Sequence, residues 1–534
     1  MKGKKIAKLL SGALVAATLL TTLSACSGGG NASDGKSGKS SGKTEKITML
    51  VLGNKPTNGR YQNMLKELNK KFQEKGVNAE LDFFYVEWAD WQTQYNTQLI
   101  AGDGSVDLIT TATDWLYAWE NSGKGAFLEL TDDLLKENAP KTFEQVEKDG
   151  DWDVVKYSDG KVYFIPEDNY TQFTNHGFFY RGDWAEEAGF KDGEITKFED
   201  FTVYFQYVLD NKEDVIPWDV TGANASVSPV PIDAYVAGHA KYQNLLGLSA
   251  GNYGLWNTTE DEPYTITSAL MESDEWVEGA KLAKEWNDMG VWREDVLNYD
   301  GDTREEFFSG QSATDQHHAQ TFYGSIYDNM TKRQEGSNPK FFYWGQENGN
   351  VFRDIKTHGA MAVSASSKHP ELALQVYDLI RNDEECYRLI NYGIEGTDYV
   401  VTDDGKLDYP EGYDSTKDAL EANFWGGRMD EFELDKTTDM PTKHEMIDDL
   451  MENSKNYPYE NLIFNKDQIE SYQAGFASIL AEYIPQFSAG KFDDVEGKVK
   501  EMRQKIKDAG YDEVKEMLQK DMDEWAKDNK VSYE

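Results

Sequence analysis

Cysteine, positive charge and long apolar runs are all scarce in this sequence of 534 residues. Two cysteines and seven histidines provide no Cys-rich pattern for a metal, so we predict no metal site and no cofactor. Lys and Arg number 54 against 96 Asp and Glu, a formal net charge of −42, so nucleic acid and anionic membrane surfaces are excluded as partners. Beyond the N-terminus, no stretch reaches the roughly 20 apolar residues of a membrane-spanning helix, which predicts a soluble body.

The N-terminus carries an export signal. Four lysines within the first eight residues precede an apolar run over 9–20, which has the length of a signal-peptide core. The following Leu-Ser-Ala-Cys at 23–26 resembles the bacterial lipobox, in which the cysteine is diacylated and the peptide is cut just before it. We therefore expect a signal peptide over 1–25 and a lipid (palmitate-type) anchor on Cys26 at the outer face of the cell membrane. The alternative is a plain secretory signal with an unmodified cysteine.

Residues 26–45 are rich in Gly and Ser and nearly free of apolar side chains, so we predict a flexible tether. If Cys26 is acylated, Cys386 stands alone, and its helical context predicts a buried thiol without an intrachain disulfide.

Aromatic residues are abundant: 14 Trp, 30 Tyr and 25 Phe make up 13% of the chain. Many stand among Asp, Asn, Glu and Gly, as in the stretches VEWADW, TDWLYAWEN and NFWGGR. Aromatic rings in polar surroundings suit a wet cleft that stacks on flat apolar faces and forms hydrogen bonds around them, and pyranose rings present such a surface.

The first hundred residues after the tether predict a parallel sheet. Strands over 46–53, 79–86 and 105–111 alternate with helices over 61–75 and 89–104. Strands that alternate with helices at this spacing form parallel α/β sheets, in which ligands bind beyond the carboxyl ends of the strands.

Several stretches, taken in order, resemble family 1 extracellular solute-binding proteins of carbohydrate ABC importers. They are WADWQTQYNTQLIAGDGSVDLITT, GAFLELTDDL, VYFIP, FFYRGDWAEEAG, FFSGQSA and SKHPELALQVYDLI. Within that family, NYGIEGTDYV at 391–400 resembles the Gly-Ile-Glu-Gly motif of LplA/LipO-like lipoproteins. Some long relatives carry a calcium loop, but 209–217 lacks the spacing of acidic ligands that such a loop needs.

The resemblance implies a two-lobed, type II periplasmic-binding-protein-like α/β fold. Each lobe would be a mixed sheet flanked by helices, and two or three crossings would form the hinge. Mapped by motif, lobe 1 comprises 46–168 and 315–363, and lobe 2 comprises 169–314 and 364–534. The implied ligand is an oligosaccharide, the implied partners are two permease subunits and an ATPase, and the protein is expected to be a monomer.

Candidate ligand-binding residues come from loops expected at the cleft and were chosen for stacking or hydrogen-bonding chemistry. The aromatic candidates are Trp88, Trp115, Tyr170, Trp218, Trp256 and Trp425. The polar candidates are Asn54, Asp114, Glu167, Asn169, Gln316, His317, Arg353 and Glu395. For Arg353 the alternative is a pair with Asp354, and for Glu395 it is a purely structural turn.

Two other functions remain open on the sequence alone. A cell-surface glycoside hydrolase also needs an aromatic cleft with carboxylates, and Asp114 and Glu167 would be a candidate pair. A peptide-binding lipoprotein would share the size and the anchor. The sequence contains no nucleophile elbow, zinc helix or phosphate loop, which favours a binding protein over an enzyme.

Overall fold

The computed structural model describes residues 44–89, 91–167, 176–221, 230–245, 248 and 254–529. Its strands are β1 (Glu45–Leu52), β2 (Ala79–Val86), β3 (Leu108–Thr111), β4 (Phe164–Pro166), β5 (His176–Arg181), β6 (Tyr242–Asn244), β7 (Asn257–Thr259), β8 (Thr314–His318), β9 (Pro339–Tyr343), β10 (Ala360–Val363), β11 (Val400–Val401) and β12 (Leu407–Asp408). The α-helices are Arg60–Glu74, Trp91–Ala101, Ala118–Gly123, Asp132–Asn138, Pro140–Asp149, Gly182–Glu187, Phe201–Asn211, Val230–His239, Ala269–Glu272, Asp274–Met289, Thr303–Ser309, Ala319–Thr321, Tyr327–Arg333, Pro370–Asn382, Glu384–Tyr392, Ser415–Asp418, Lys443–Asn453, Glu470–Ser488, Val495–Asp508 and Tyr511–Asp528. A π-helical stretch, Phe322–Ile326, and short 3₁₀ turns complete the elements.

Lobe 1 is built on a five-stranded sheet in the order β2-β1-β3-β10-β4. β1 pairs in parallel with β2 and β3, as the alternation of strands and helices predicts, while β10 runs antiparallel between β3 and β4. The helix Arg60–Glu74 buries Tyr61, Leu65, Leu68 and Phe72 against one sheet face. The sequence therefore predicted the first three strands and their parallel direction correctly.

Lobe 2 is built on an antiparallel sheet of three strands in the order β8-β5-β9. Alternate aromatic side chains of β5 enter opposite cores: Phe178 packs with the helix Phe201–Asn211, and Phe179 packs with the π-helical stretch. Successive side chains of a strand point to opposite faces of the sheet, so a strand that is buried on both faces contributes to two cores in this way.

The predicted lobe boundaries need correction. β9 and all of β8 except Thr314 lie between 315 and 363, yet both strands pair with β5 and so belong to lobe 2. The helices Pro370–Asn382 and Glu384–Tyr392 pack on the first sheet and so belong to lobe 1. The chain crosses between the lobes after β4, between β9 and β10, and between Phe424 and Met440. Motif order could not locate these crossings because strand pairing is non-local.

A further core in lobe 2 joins the helix Asp274–Met289 to the three C-terminal helices. The segment that precedes those helices reaches lobe 1, where Lys466 pairs with Glu120 and Ile463 packs against the core that contains Leu50 and Phe164. Cys386 is buried in lobe 1, and burial raises the pKa of its thiol to about 12. Among the helices of the described ranges, none has the length and apolarity that crossing a membrane requires.

Candidate functional site

Loops from five strands meet at one edge of the lobe 1 sheet. β1, β2, β3 and β4 all end there, and β10 starts there because it runs the opposite way. Asn54, Trp88, Asp114 and Glu167 follow the four strand ends, and His358 precedes β10. Two of the crossings between the lobes leave from the same edge, so its side chains lie where the lobes meet.

Four indole rings form a cluster at this edge, here called the tryptophan cluster: Trp88, Trp91, Trp115 and Trp425. The ring centroid of Trp425 lies 5.5 Å from that of Trp88 and 5.6 Å from that of Trp115. The rings of Trp88 and Trp115 are 6.5 Å apart with an angle of 29° between their planes, and Trp91 meets Trp115 edge-on at 5.6 Å. Trp88 is 40% exposed, so the cluster presents an aromatic surface to solvent.

Asp114 and His358 form an ion pair beside the tryptophan cluster. Asp114 Oδ2 lies 2.7 Å from His358 Nδ1, and Trp115 Nε1 donates to the His358 carbonyl at 3.0 Å. Burial alone would lower the pKa of His358, but the carboxylates of Asp114, Asp354 and Glu167 raise it to about 10. The imidazole is therefore cationic at neutral pH. Within the described residues, the buried Asp114 Oδ1 has no hydrogen-bond partner and is available as an acceptor.

The buried carboxylate of Glu167 holds the loop that carries Trp425. Its Oε1 accepts the backbone N–H groups of Gly426 at 2.9 Å and Arg428 at 3.3 Å. Gly426 has a φ of +86°, and a Cβ there would overlap the Ala360 carbonyl, so only glycine fits. Glu167 is predicted to bind ligand hydroxyl groups; in the structure its Oε1 positions the loop that carries Trp425.

Three histidines lie together at the facing edge of the lobe 2 sheet. The ring of His318 lies 4.0 Å from that of His317 and 4.6 Å from that of His176, whose ring stacks on Trp344 at 5.7 Å. His176 Nδ1 and the half-buried Gln316 Oε1 are 3.3 Å apart. Desolvation and neighbouring positive charges lower the pKa of His317 to about 4, and the pKa values of His176 and His318 are also lowered. All three imidazoles are therefore uncharged at neutral pH.

Two predicted tryptophans are core residues instead. Trp218 is 2% exposed and packs against Phe178 at 4.8 Å, in the core between the lobe 2 sheet and its helices. Trp256 is also 2% exposed and stacks on Tyr511 at 5.0 Å. Their polar neighbours in sequence suggested a wet loop, but tertiary packing buries both rings away from the cleft.

Two predicted polar residues also serve the fold. Arg353 Nη2 donates to the Met451 carbonyl at 2.7 Å, near the end of the helix Lys443–Asn453. Glu395 is exposed in a turn that is held by a hydrogen bond from Ile394 N to Asp398 Oδ2 at 2.7 Å. This geometry fits the alternative that Glu395 belongs to a purely structural turn. Asn54 is exposed at the rim, and Asn169, Tyr170 and Cys26 lie outside the described residues.

The family of bacterial extracellular solute-binding proteins matches residues 67–393, more than half of the chain. This chain belongs to that family. Residues 458–527, which include most of the C-terminal helices, match a domain of unknown function (DUF3502). The family is one of binding proteins and not of enzymes, and its members act outside the cytoplasm.

A carbohydrate ABC transporter substrate-binding protein of Streptococcus pneumoniae is 22% identical to this solute-binding protein, over 99% of this chain and 100% of the relative. The N-glycan transport protein NgtS of S. pneumoniae is 17% identical, with a TM-score of 0.67 over 91% of this chain and 99% of that one. The alginate-binding protein AlgQ2 is 16% identical, with a TM-score of 0.66 over 90% of this chain and 98% of that one. FusA of S. pneumoniae, solved with kestose, is 14% identical, with a TM-score of 0.65 over 90% of this chain and 100% of that one. These likenesses establish the two-lobed fold.

Sequence reasoning missed three residues of the site in this solute-binding protein: Trp91, His358 and Arg428. Trp91 stands in the same aromatic stretch as Trp88, and that stretch was the available signal. His358 precedes a buried strand, and only the antiparallel direction of β10 brings it to the edge where parallel strands end. Arg428 lies on the Trp425 loop, and nothing local in the sequence marks it.

Proposed function

We propose that this solute-binding protein captures an oligosaccharide between its lobes and delivers it to the permease of an ABC importer. The tryptophan cluster carries the proposal, because it gathers an exposed aromatic surface at the edge from which the chain crosses between lobes. Pyranose rings stack on indole faces, and their hydroxyl groups need acceptors such as the unpartnered Asp114 Oδ1.

The named relatives support the same class of ligand. NgtS structures contain Man1GlcNAc and Man5GlcNAc, and FusA structures contain kestose and fructo-nystose. The S. pneumoniae relative that spans the whole chain is named for carbohydrate transport. On this proposal, the Gln316 and His317 surface of lobe 2 closes over the sugar that lies on the tryptophan cluster.

The two carboxylates at the edge argue against a glycoside hydrolase. Asp114 is held in an ion pair with His358, and Glu167 is buried and bound to two backbone amides. A hydrolase needs one carboxyl group to deliver a proton to the glycosidic oxygen, with its partner at a set distance across the bond. Glu167, whose Oε1 is engaged by the Trp425 loop, is poorly placed for either role.

Calorimetric titration against neutral oligosaccharides and against peptides of similar length tests the proposal. We expect saturable heat with at least one oligosaccharide, no heat with peptides, and no new reducing ends after prolonged incubation. Peptide binding without sugar binding would favour the peptide-binding alternative, and new reducing ends would favour the hydrolase.

Export and anchoring rest on the sequence. We propose that residues 1–25 are removed, that Cys26 is lipidated, and that residues 26–45 tether the body to the outer face of the membrane. Anchoring would keep the loaded protein close to its two permease subunits and ATPase, which raises their effective concentration. A Cys26→Ser variant should appear in the culture medium, whereas the wild type should fractionate with membranes. Release of both forms would contradict the anchor.

A further inference from the structure

Two cations of the described residues, His358 before β10 and Arg428 on the Trp425 loop, are each paired with a carboxylate. His358 is bound to Asp114 at 2.7 Å. The Arg428 guanidinium, on the Trp425 loop, donates from Nε to Asp430 at 3.0 Å and lies 3.4 Å from Glu433 through Nη1. Neither cation therefore offers an unneutralised charge to a ligand.

Among the described residues, the next cations along the crossing segments are also engaged. Arg353 donates to the Ser454 hydroxyl and the Met451 carbonyl. Lys356, two residues before His358, lies 2.5 Å from the buried Asp151. Arg304 pairs with Asp315 at the start of β8. Lys55 follows β1 and is solvent-exposed, so water and salt screen its charge. Arg381, which is fully buried, donates to the Pro166 carbonyl at the end of β4 and to the Tyr377 hydroxyl. Positive charge on the described residues near the cluster is thus paired with a carboxylate, bound to neutral acceptors or screened by solvent.

Five carboxylates surround the two cations His358 and Arg428. Asp114, Asp354 and Glu167 all act on His358, and Asp430 and Glu433 act on Arg428. An anionic group placed here would meet this surplus of negative charge in surroundings that water enters only in part. Such charges attract or repel more strongly there than in bulk water.

The three imidazoles on the lobe 2 face add no positive charge. The imidazoles of His176, His317 and His318 are neutral at neutral pH because desolvation lowers their pKa values. By sequence, the stretches 168–175, 222–229, 246–247 and 249–253, which lie outside the described residues, contain no Lys, Arg or His. These four stretches therefore supply no cation.

We infer that the captured solute is a neutral oligosaccharide and that uronate, sulfated and phosphorylated sugars are rejected. The inference rests on the proposed function and names the ligand class of the same cleft. Two ion-paired groups set this selectivity. Asp114 neutralises the charge of His358, and Asp430 and Glu433 neutralise the charge of Arg428, so neither cation attracts an anionic sugar. Aromatic stacking and hydroxyl acceptors then recognise an uncharged ring.

Calorimetry with two sets of tetrasaccharides at pH 7 tests the inference. One set contains only neutral hexoses and N-acetylhexosamines, and the other contains uronic acids in chains of the same length. We expect a neutral ligand to bind at least about tenfold more tightly than any uronate. Raising the salt concentration should leave the affinity for the neutral ligand nearly unchanged, because no ion pair with the ligand forms.

Uronate binding as tight as neutral binding would overturn the inference and leave the proposed function standing. Failure of both sets to bind would overturn the inference and the proposed function together. The variant Asp430→Asn should narrow the preference for neutral sugars, because it removes one carboxylate from Arg428. The matched control Asp132→Asn, at an exposed acid paired with Lys136, should leave the preference unchanged. An unaltered preference in Asp430→Asn would refute the role assigned to Arg428.

Discussion

Replacing Trp425 with alanine should weaken oligosaccharide binding by more than about tenfold, or about 1.4 kcal/mol. The indole is half-buried and lies 5.5 Å from Trp88 and 5.6 Å from Trp115, so its loss removes one wall of the aromatic surface. A sugar face against an indole buries on the order of 50–100 Å², which at about 25 cal/mol per Å² corresponds to about 1–2.5 kcal/mol.

The fold should tolerate this change. The loop is held through the backbone amides of Gly426 and Arg428, and through the Trp425 carbonyl, which accepts from Thr110 Oγ1 at 3.3 Å. Alanine preserves all of these bonds, so the Trp425→Ala variant should remain folded, with a modest decrease in Tm.

Isothermal titration calorimetry, with thermal denaturation of the same samples, checks both expectations. Trp218→Phe is the matched control, because Trp218 is a core residue that is 2% exposed. It should lower Tm and leave Kd unchanged. An unchanged Kd in Trp425→Ala, or a large rise in Kd in Trp218→Phe, would refute the placement of the sugar on the tryptophan cluster.

Two further predictions concern pH and can be checked by thermal denaturation. The Asp114–His358 pair stabilises the fold fully below the ordinary histidine pKa of 6.5, and this contribution is lost as the pH rises through about 10. The Asp114→Asn variant should therefore be less stable than the wild type at pH 6 and nearly as stable as the wild type above pH 10. A constant deficit across that range would contradict the ion pair. Burial raises the pKa of the Glu460 carboxyl group to about 7, so unfolding releases a proton between pH 4.5 and 7. The fold therefore loses stability as the pH rises through that window. The Glu460→Gln variant should have a higher Tm than the wild type at pH 8 and an equal Tm at pH 4.5. No gain at pH 8 would show that Glu460 is not desolvated.

Local patterns in the sequence were enough to predict the first half of lobe 1. The apolar spacing of Tyr61, Leu65, Leu68 and Phe72 is a property of one helix, and the alternation of strands and helices determines their parallel pairing. The rule that ligands bind beyond the carboxyl ends of strands then directed attention to Trp88 and the loop of Asp114 and Trp115.

Features that depend on distant parts of the chain could not be predicted in this way. Trp218 stands beside a proline and an aspartate in sequence, and only the approach of Phe178, Trp286 and Trp292 buries it. The lobe boundaries failed because the pairing of β5 with β8 and β9 joins segments more than a hundred residues apart. Glu167 lies at the edge where it was expected, but its hydrogen bonds to the Trp425 loop join residues about 260 positions apart in the sequence, so they could not be predicted.

Hydrogen–deuterium exchange with and without a saturating neutral oligosaccharide tests the central claim most directly. Ligand should slow amide exchange in the loops after β2 and β3, at 358–359 before β10 and at 425–428, because these segments form the edge at which the lobes meet. The helices Glu470–Ser488, Val495–Asp508 and Tyr511–Asp528 should exchange as before. Protection confined to those helices, or no protection at the edge in a protein that binds the sugar, would contradict the account.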